Sequence, residues 1–324
     1  MHNGYRLMYI YATKGFEMSK IFIDGSVGTT GLKIYERLSG RKDLDIITLP
    51  ENLRKDKEAR REAINKSDIV FLCLPDDAAK ESVTLCENNN TVIIDTSTAH
   101  RTNPHWCYGF PELPGFREKI TYSKRIANPG CHASGFIALV APLVFAGLLD
   151  EDIAVSCFSL TGYSGGGKKM ISEYESEERN ILLDSPRQYG LSQVHKHLPE
   201  MKNICCLNKS PLFCPIVANY YSGMEVTIPL FMADVKGTIE DIKNIYKNIY
   251  NGKLIHFDET CDEDGFMSAN AFSGRDDMQI TVHGNSDRII LTSRFDNLGK
   301  GASGAAIQNM NIALGVDETK GLVY

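Results

Sequence analysis

Over the first hundred positions, short continuous apolar runs alternate with stretches in which apolar residues recur at helical spacing. KIFID from Lys20 is the first run, and a glycine turn leads from it into the amphipathic stretch TGLKIYERL. The rhythm then repeats: DIITL, the charged KDKEARREAINK, IVFLCL, DDAAKESVTLC and TVIID. Strands buried on both faces and alternating with amphipathic helices predict an α/β Rossmann domain, a doubly wound parallel sheet.

Beyond Cys131 the rhythm changes. A helix over ASGFIALVAPLVFAG is followed by longer strand patterns: DIAVSCFSL, the run from Val217 to Phe231, MQITVHG and DRIILTSRF. One further helix, IEDIKNIYKNIY, lies among them, and GASGAAIQNMNIALG closes the chain with a helix of small residues suited to close packing. Few helices among longer strands predict an α+β domain, a mostly antiparallel sheet with helices on one face. At 324 residues the chain exceeds what one core usually supports, which agrees with two domains.

Composition narrows the function classes. With 43% hydrophobic and 23% charged residues the chain is ordinary for a globular protein, and a net charge of -6 argues against nucleic acid or an anionic membrane as the main partner. No apolar run approaches the roughly 18 residues needed to span a bilayer. Nine cysteines, an odd number scattered through strand and helix patterns, fit reduced thiols in a cytoplasm better than a disulfide framework. Residues 1–17 show no small-residue cleavage site, so Met18 is the expected start of the fold and what precedes it a tail.

The segment DGSVGTTG places Gly25, Gly28 and Gly31 three apart between a strand and a helix. Glycines there let the backbone turn tightly and approach a pyrophosphate, whose charge the free amides and the helix dipole stabilise. Gly25, Ser26, Gly28, Thr29, Thr30 and Gly31 are therefore the expected cofactor-binding turn, although the spacing is not the usual G-x-G-x-x-G. At the end of the second strand Glu51 keeps NAD open, while Arg54 and Lys55 favour the extra phosphate of NADP.

Cys131 follows an Asn-Pro-Gly turn at the start of an apolar helix, where dipole and unpaired amides stabilise a thiolate and could hold an oxyanion. A structural thiol is the competing reading, and it is the better one for most of the other cysteines. A nucleophile needs a proton shuttle, and YGLSQVHKHLPEM offers His195 and His197, whose rings face one side if the stretch is extended. A metal site is disfavoured, because H-x-H followed by Cys205, Cys206 and Cys214 matches no usual zinc spacing. Arg101 in DTSTAHR and Lys168 in TGYSGGGKKM stand at strand ends and either hold phosphate or carboxylate groups or are solvated surface charge.

Taken in order, DGSVGTTG, FLCLPDDAAKE, DTSTAHR, YGFPEL, ANPGCHASGFIALVAPL, GYSGGGKKMI, YGLSQVHKHLPEM and KGASGAAIQNMNIALG resemble the N-acetyl-gamma-glutamyl-phosphate reductases of arginine biosynthesis, in their shorter form. The resemblance runs from about Lys20 to the C-terminus. It implies an NADP-binding Rossmann domain over 18–130, completed by a returning helix in 299–324, and a catalytic and dimerisation domain over 131–298. It also implies a thioester mechanism with Cys131 as nucleophile and His195 as acid/base. His197, Asn128, Arg101 and Lys168 are then substrate contacts, Asn309 lies near the nicotinamide, and the assembly is a dimer or tetramer. Aspartate-semialdehyde dehydrogenase, with the same architecture and thioester logic, is the nearest rival. A nucleotide-binding regulator and a metal-dependent hydrolase are the readings from other classes.

Overall fold

The computed structural model describes residues 18–324. The expected tail lies outside them. The first sheet contains β1 (Ser19–Asp24), β2 (Leu44–Ile47), β3 (Ile69–Leu72), β4 (Val92–Asp95), β5 (Cys107–Tyr108) and β6 (Arg125–Ala127). Its order is β2-β1-β3-β4-β6-β5, and every pairing is parallel. Helices α1 (Thr29–Leu38), α2 (Lys57–Lys66), α3 (Asp76–Thr84) and α4 (Phe116–Tyr122) connect or flank these strands. The doubly wound expectation is met, with two added strands too short to leave a period of their own.

Strand order reverses at β1, so the turn after Asp24 opens at the crevice where such sheets bind ligands. Packing fixes that turn. Gly25 has φ of +90°, and a Cβ there would lie 2.3 Å from the Cys73 carbonyl oxygen; one on Gly31 would lie 2.4 Å from that of Gly25. Beneath it Asp24 is buried, with Arg60 at 2.9 Å and the Ser82 hydroxyl donating at 2.9 Å.

The second unit begins with α5 (Cys131–Phe145), nearly all of which is buried. It continues through β7 (Ser156–Gly162), α6 (Gly167–Glu175), β8 (Arg187–Gln188), α7 (Leu198–Ile204), β9 (Leu212–Ala218) and β10 (Met224–Phe231). It ends with α8 (Ile239–Ile249), β11 (Ile255–Phe257), β12 (Met278–Gly284) and β13 (Arg288–Phe295). The seven strands run β11-β12-β13-β10-β7-β9-β8, antiparallel except for β11 with β12 and β7 with β9. Helices α5 and α8 cover one face, where Val226, Ile228, Leu291 and Ile280 are buried.

The run from Val217 to Phe231, expected as one strand, is two. It breaks at residues 219–223 because Gly223 takes φ of +119°, a backbone that L side chains rarely adopt. The carbonyls of Tyr220 and Tyr221 accept from the amides of Tyr163 and Ser164 at 2.9 and 3.0 Å, binding this turn to the loop after β7.

A π-helical turn, Gly299–Ser303, leads into α9 (Gly304–Ala313). Ile307 and Met310 of α9 pack in the same core as Ile21, Ile23 and Ile94 of the first sheet. Replacing Arg60 with leucine would leave the Asp24 carboxylate buried without its cation. We expect a loss of about 3–5 kcal/mol in chemical denaturation, against little change for Arg61→Leu on the exposed side of the same helix.

Candidate active site

Where the two units meet, a cleft of about 520 Å³ is lined by residues from both, among them Gly28, Thr29, Thr30, Asn128, Cys131, His195 and His197. A second cavity, of about 500 Å³, lies on the other side of the glycine turn, lined by Gly25, Ser26, Glu51, Arg54 and Arg60. The turn therefore divides two chambers. Gly28 is the N-cap of α1 with no side-chain cap, and a Cβ there would meet nothing closer than 3.4 Å. Its bare backbone and the first-turn amides are free to receive an anionic group such as a pyrophosphate, and the Arg54 chamber and the cleft, one on each side of the turn, would hold the two halves of a dinucleotide. Gly31 serves the turn's packing and lines neither chamber.

Cys131 is the first residue of α5, and its N-cap, Gly130, supplies no side-chain cap. The first-turn amides thus have no intrahelical acceptor. Gly130 cannot carry a side chain: a Cβ would lie 2.3 Å from an Arg101 nitrogen, 2.6 Å from Glu200 Oε1 and 2.6 Å from His197 Nε2. From the opposite side Gly301, in the π-helical turn, approaches so closely that a Cβ would lie 2.9 Å from the Cys131 Cβ.

The partly accessible sulfur does not have the lowered pKa expected from its position. Burial raises it, and Glu200 adds to the rise; Arg101, the amide of His132 and Lys196 oppose it without prevailing. The dipole argument considered the helix terminus alone and omitted the desolvation that the closed cleft imposes.

Three imidazoles line the cleft together with the thiol. The ring centroids of His195 and His197 are 4.8 Å apart, and that of His132 lies 5.7 Å from the first and 5.5 Å from the second. The segment is not extended as expected; His197 caps α7 in a helical conformation, yet the rings still meet. The amide of His197 donates to Nδ1 of His195 at 3.2 Å, which fixes that ring and leaves its Nε2 edge free. Burial lowers the pKa of all three, most firmly for the enclosed His197, whose Nδ1 has no partner. His132, bonded to Ser159 Oγ at 2.6 Å and to the Tyr189 hydroxyl at 2.7 Å, is pushed down to about 3.

Glu200 was missed in the sequence, where it reads as an ordinary helix glutamate. It is fully buried; Oε1 accepts from Arg101 at 2.8 Å, and Oε2 from the Tyr108 hydroxyl at 2.9 Å and the Gly130 amide at 3.2 Å. His197 Nε2 stands 3.9 Å from the same carboxylate.

Other expected contacts are placed differently. Arg101 lines the cleft, but its guanidinium also donates to the carbonyls of Asn128 and Thr96, both at 3.0 Å. Lys168 is exposed on α6 and does not line the cleft; Lys196 does. Asn309 is fully buried behind the wall, where its Nδ2 donates to the Gly109 carbonyl at 3.0 Å and to Asn128 Oδ1 at 3.1 Å. Close packing of α9 on the first sheet carries it there, and Asn128, Gly301 and Ala302 form the wall instead.

Comparison with known proteins agrees with this architecture. Residues 6–122 match the family model for the semialdehyde dehydrogenase NAD binding domain, and residues 131–297 match that for the semialdehyde dehydrogenase dimerisation domain. Among solved structures, aspartate semialdehyde dehydrogenase II from Vibrio cholerae complexed with ASA superimposes with a TM-score of 0.69 at 14% identity, covering 92% of this chain and 98% of that one. Aspartate semialdehyde dehydrogenase with NADP from Candida albicans gives 0.65 at 16% identity, covering 91% and 98%. At such identities the likeness concerns the fold. Together with the matched domains, it defines an oxidoreductase of the semialdehyde dehydrogenase class.

Sequence relatives are more specific. N-acetyl-gamma-glutamyl-phosphate reductases of Brucella ovis and Brucella canis are each 44% identical over 306 residues, covering 91% of this chain and 99% of theirs. The chain belongs to the N-acetyl-gamma-glutamyl-phosphate reductase family.

The raised thiol pKa is open to measurement on the ligand-free protein. The rate of Cys131 alkylation by iodoacetamide should rise with pH to a midpoint above that of an ordinary free thiol; a midpoint below neutrality would contradict the burial argument.

Proposed function

We propose that this chain reduces N-acetyl-L-glutamyl 5-phosphate to N-acetyl-L-glutamate 5-semialdehyde, with Cys131 as the nucleophile and NADPH as reductant. The observation that carries the reading is a thiol on an uncapped helix terminus, beside an imidazole with a free edge, in a cleft that adjoins the glycine turn. The sulfur displaces phosphate from the acyl carbon to give a thioester, and His195 takes the thiol proton. The first-turn amides of α5 hold the carbonyl oxygen and, once that carbon is reduced, the charge on it. The alkoxide then reforms the carbonyl as the C–S bond breaks, which frees the aldehyde, and His195 returns its proton to the departing sulfur. NADPH supplies the hydride when bound.

In this reading residues 18–130 with 299–324 hold the cofactor, and 131–298 carry the chemistry. Arg54, which lines the nucleoside chamber, supports NADP over NAD. His197 and Glu200 position the helix terminus and Arg101. Asn309 acts through Asn128, which it holds in the cleft wall. All nine cysteines are free, and no helix among the described residues is long and apolar enough to cross a membrane, which supports a place in the reducing cytoplasm.

The relatives' dimerisation domain supports a homo-oligomer, and the uncovered face of the second sheet is the surface for it. Phe158, Leu212, Phe231 and Ile290 share that face by register, with exposures of 42, 56, 64 and 40%.

An assay with N-acetylglutamate semialdehyde, phosphate and NADP is expected to show turnover that Cys131→Ser abolishes and Arg54→Leu weakens for NADP more than for NAD. Activity confined to aspartate semialdehyde would refute the substrate. In sedimentation, wild type should exceed the monomer mass, and Phe158→Glu with Ile290→Glu should lower it; a monomeric wild type would remove the interface.

A further inference from the structure

Among the described residues, two cations line the cleft, Arg101 and Lys196. Their charges are in different states. Glu200 pairs with Arg101 at 2.8 Å, and the remaining edges of that guanidinium are held by two backbone carbonyls. Lys196 stands between His195 and His197, is exposed at the cleft, and makes no ion pair with any described residue. The cleft's own carboxylate, Asp76, is engaged by the Thr98 amide at 3.0 Å and hydroxyl at 2.5 Å. Those donors are neutral, so Asp76 keeps its charge within the field of Lys196, but among the described residues no carboxylate pairs with that ammonium, and Lys196 is the cleft cation left open to an incoming anion.

The substrate class has two anionic ends. Its phosphoryl group is one bridging oxygen from the carbon that Cys131 attacks, whereas its carboxylate lies at the far end of the side chain. Lys196 lines the same cleft as Cys131 and Asn128 and adjoins His195 in the chain, so its ammonium stands at the reacting end. An ammonium at that end stands nearer to the phosphoryl oxygens than to the far carboxylate, and attraction falls with distance.

We propose that Lys196 holds the phosphoryl oxygens of the acyl phosphate while Cys131 attacks, and delivers inorganic phosphate to solvent when it leaves. The assignment rests on the acyl-phosphate reading above. As the C–S bond forms, the C–O bond to phosphate breaks, and phosphate departs with the electron pair of that bond. Lys196 stays protonated throughout. An ammonium on a flexible stem suits this task, since it binds phosphate as a point charge and can release it more readily than a bidentate guanidinium.

The oxidative direction separates the steps. With semialdehyde and NADP but no phosphate, wild type should form one equivalent of NADPH per active thiol and stop at the thioester; added inorganic phosphate should then sustain turnover. Lys196→Met is expected to keep the burst amplitude and the dependence on semialdehyde. Its half-saturating phosphate concentration should rise at least about tenfold, the loss of one charge-assisted contact, and Lys196→Arg should recover most of that. A second readout uses the protein without cofactor. The ratio of Cys131 alkylation by anionic iodoacetate to that by neutral iodoacetamide should fall in Lys196→Met, and inorganic phosphate should slow the iodoacetate reaction in wild type only.

No burst in wild type would overturn the thioester reading and this assignment with it. A normal burst with unchanged phosphate dependence in Lys196→Met would overturn the assignment alone. So would a weakened dependence on semialdehyde in its place, because Lys196 would then be holding the carboxylate, or an unchanged alkylation ratio.

Discussion

The carboxylate of Glu200 is sealed from solvent, and what surrounds it determines where the nucleophile stands. One oxygen takes Arg101, and the other takes the Tyr108 hydroxyl and the Gly130 amide. These partners come from the loop after β4, the edge of the first sheet and the N-cap of α5, while Glu200 itself belongs to the helix that follows the two histidines. One buried charge thus ties four segments to a point beside Cys131. Burying a carboxylate is unfavourable unless its hydrogen-bonding capacity is filled, so these segments are held in a single arrangement and the cleft between the units is formed before any ligand arrives.

That arrangement also sets the electrostatics. Because Arg101 is neutralised by Glu200, it contributes little net charge to the cleft, and the same carboxylate pushes the Cys131 thiol up alongside burial. Buried imidazoles beside the thiol are held neutral by desolvation. Uncapped first-turn amides of α5 beside these neutral rings are the donors that a developing negative charge on the substrate would meet.

Much of this was legible in the sequence, and the rest was hidden for identifiable reasons. Alternating buried strands and amphipathic helices are a local, periodic signal, and they placed β1 through β4 and the helices between them. DGSVGTTG was readable because the restrictions at Gly25 and Gly31 are steric and act within one turn and its neighbouring strand. Strands of two or three residues, such as Cys107–Tyr108 and Arg125–Ala127, carry no period at all. The break at Gly223 could have been suspected from Asn-Tyr-Tyr-Ser-Gly alone. Glu200 and Lys196 were out of reach, since what distinguishes them is which charges the fold brings near and which it leaves unmatched. The positions of Lys168 and Asn309 were hidden for the same reason, one facing solvent and the other enclosed behind Asn128. The thiol was misjudged because a helix terminus is visible in sequence and the loss of water around it is not.

The placement of Ile307 and Met310 against Ile21 and Ile23 bears on how the molecule is made. Segments far apart in the chain, β1 and α9, fill one hydrophobic interior, and everything from α5 to β13 is threaded between them. During synthesis the intervening unit can complete its own interior while the earlier one still waits for α9 to leave the ribosome. Biogenesis of the dinucleotide-type half is thereby tied to synthesis of α9, and a product stopped before that helix would display an open apolar groove along its parallel sheet.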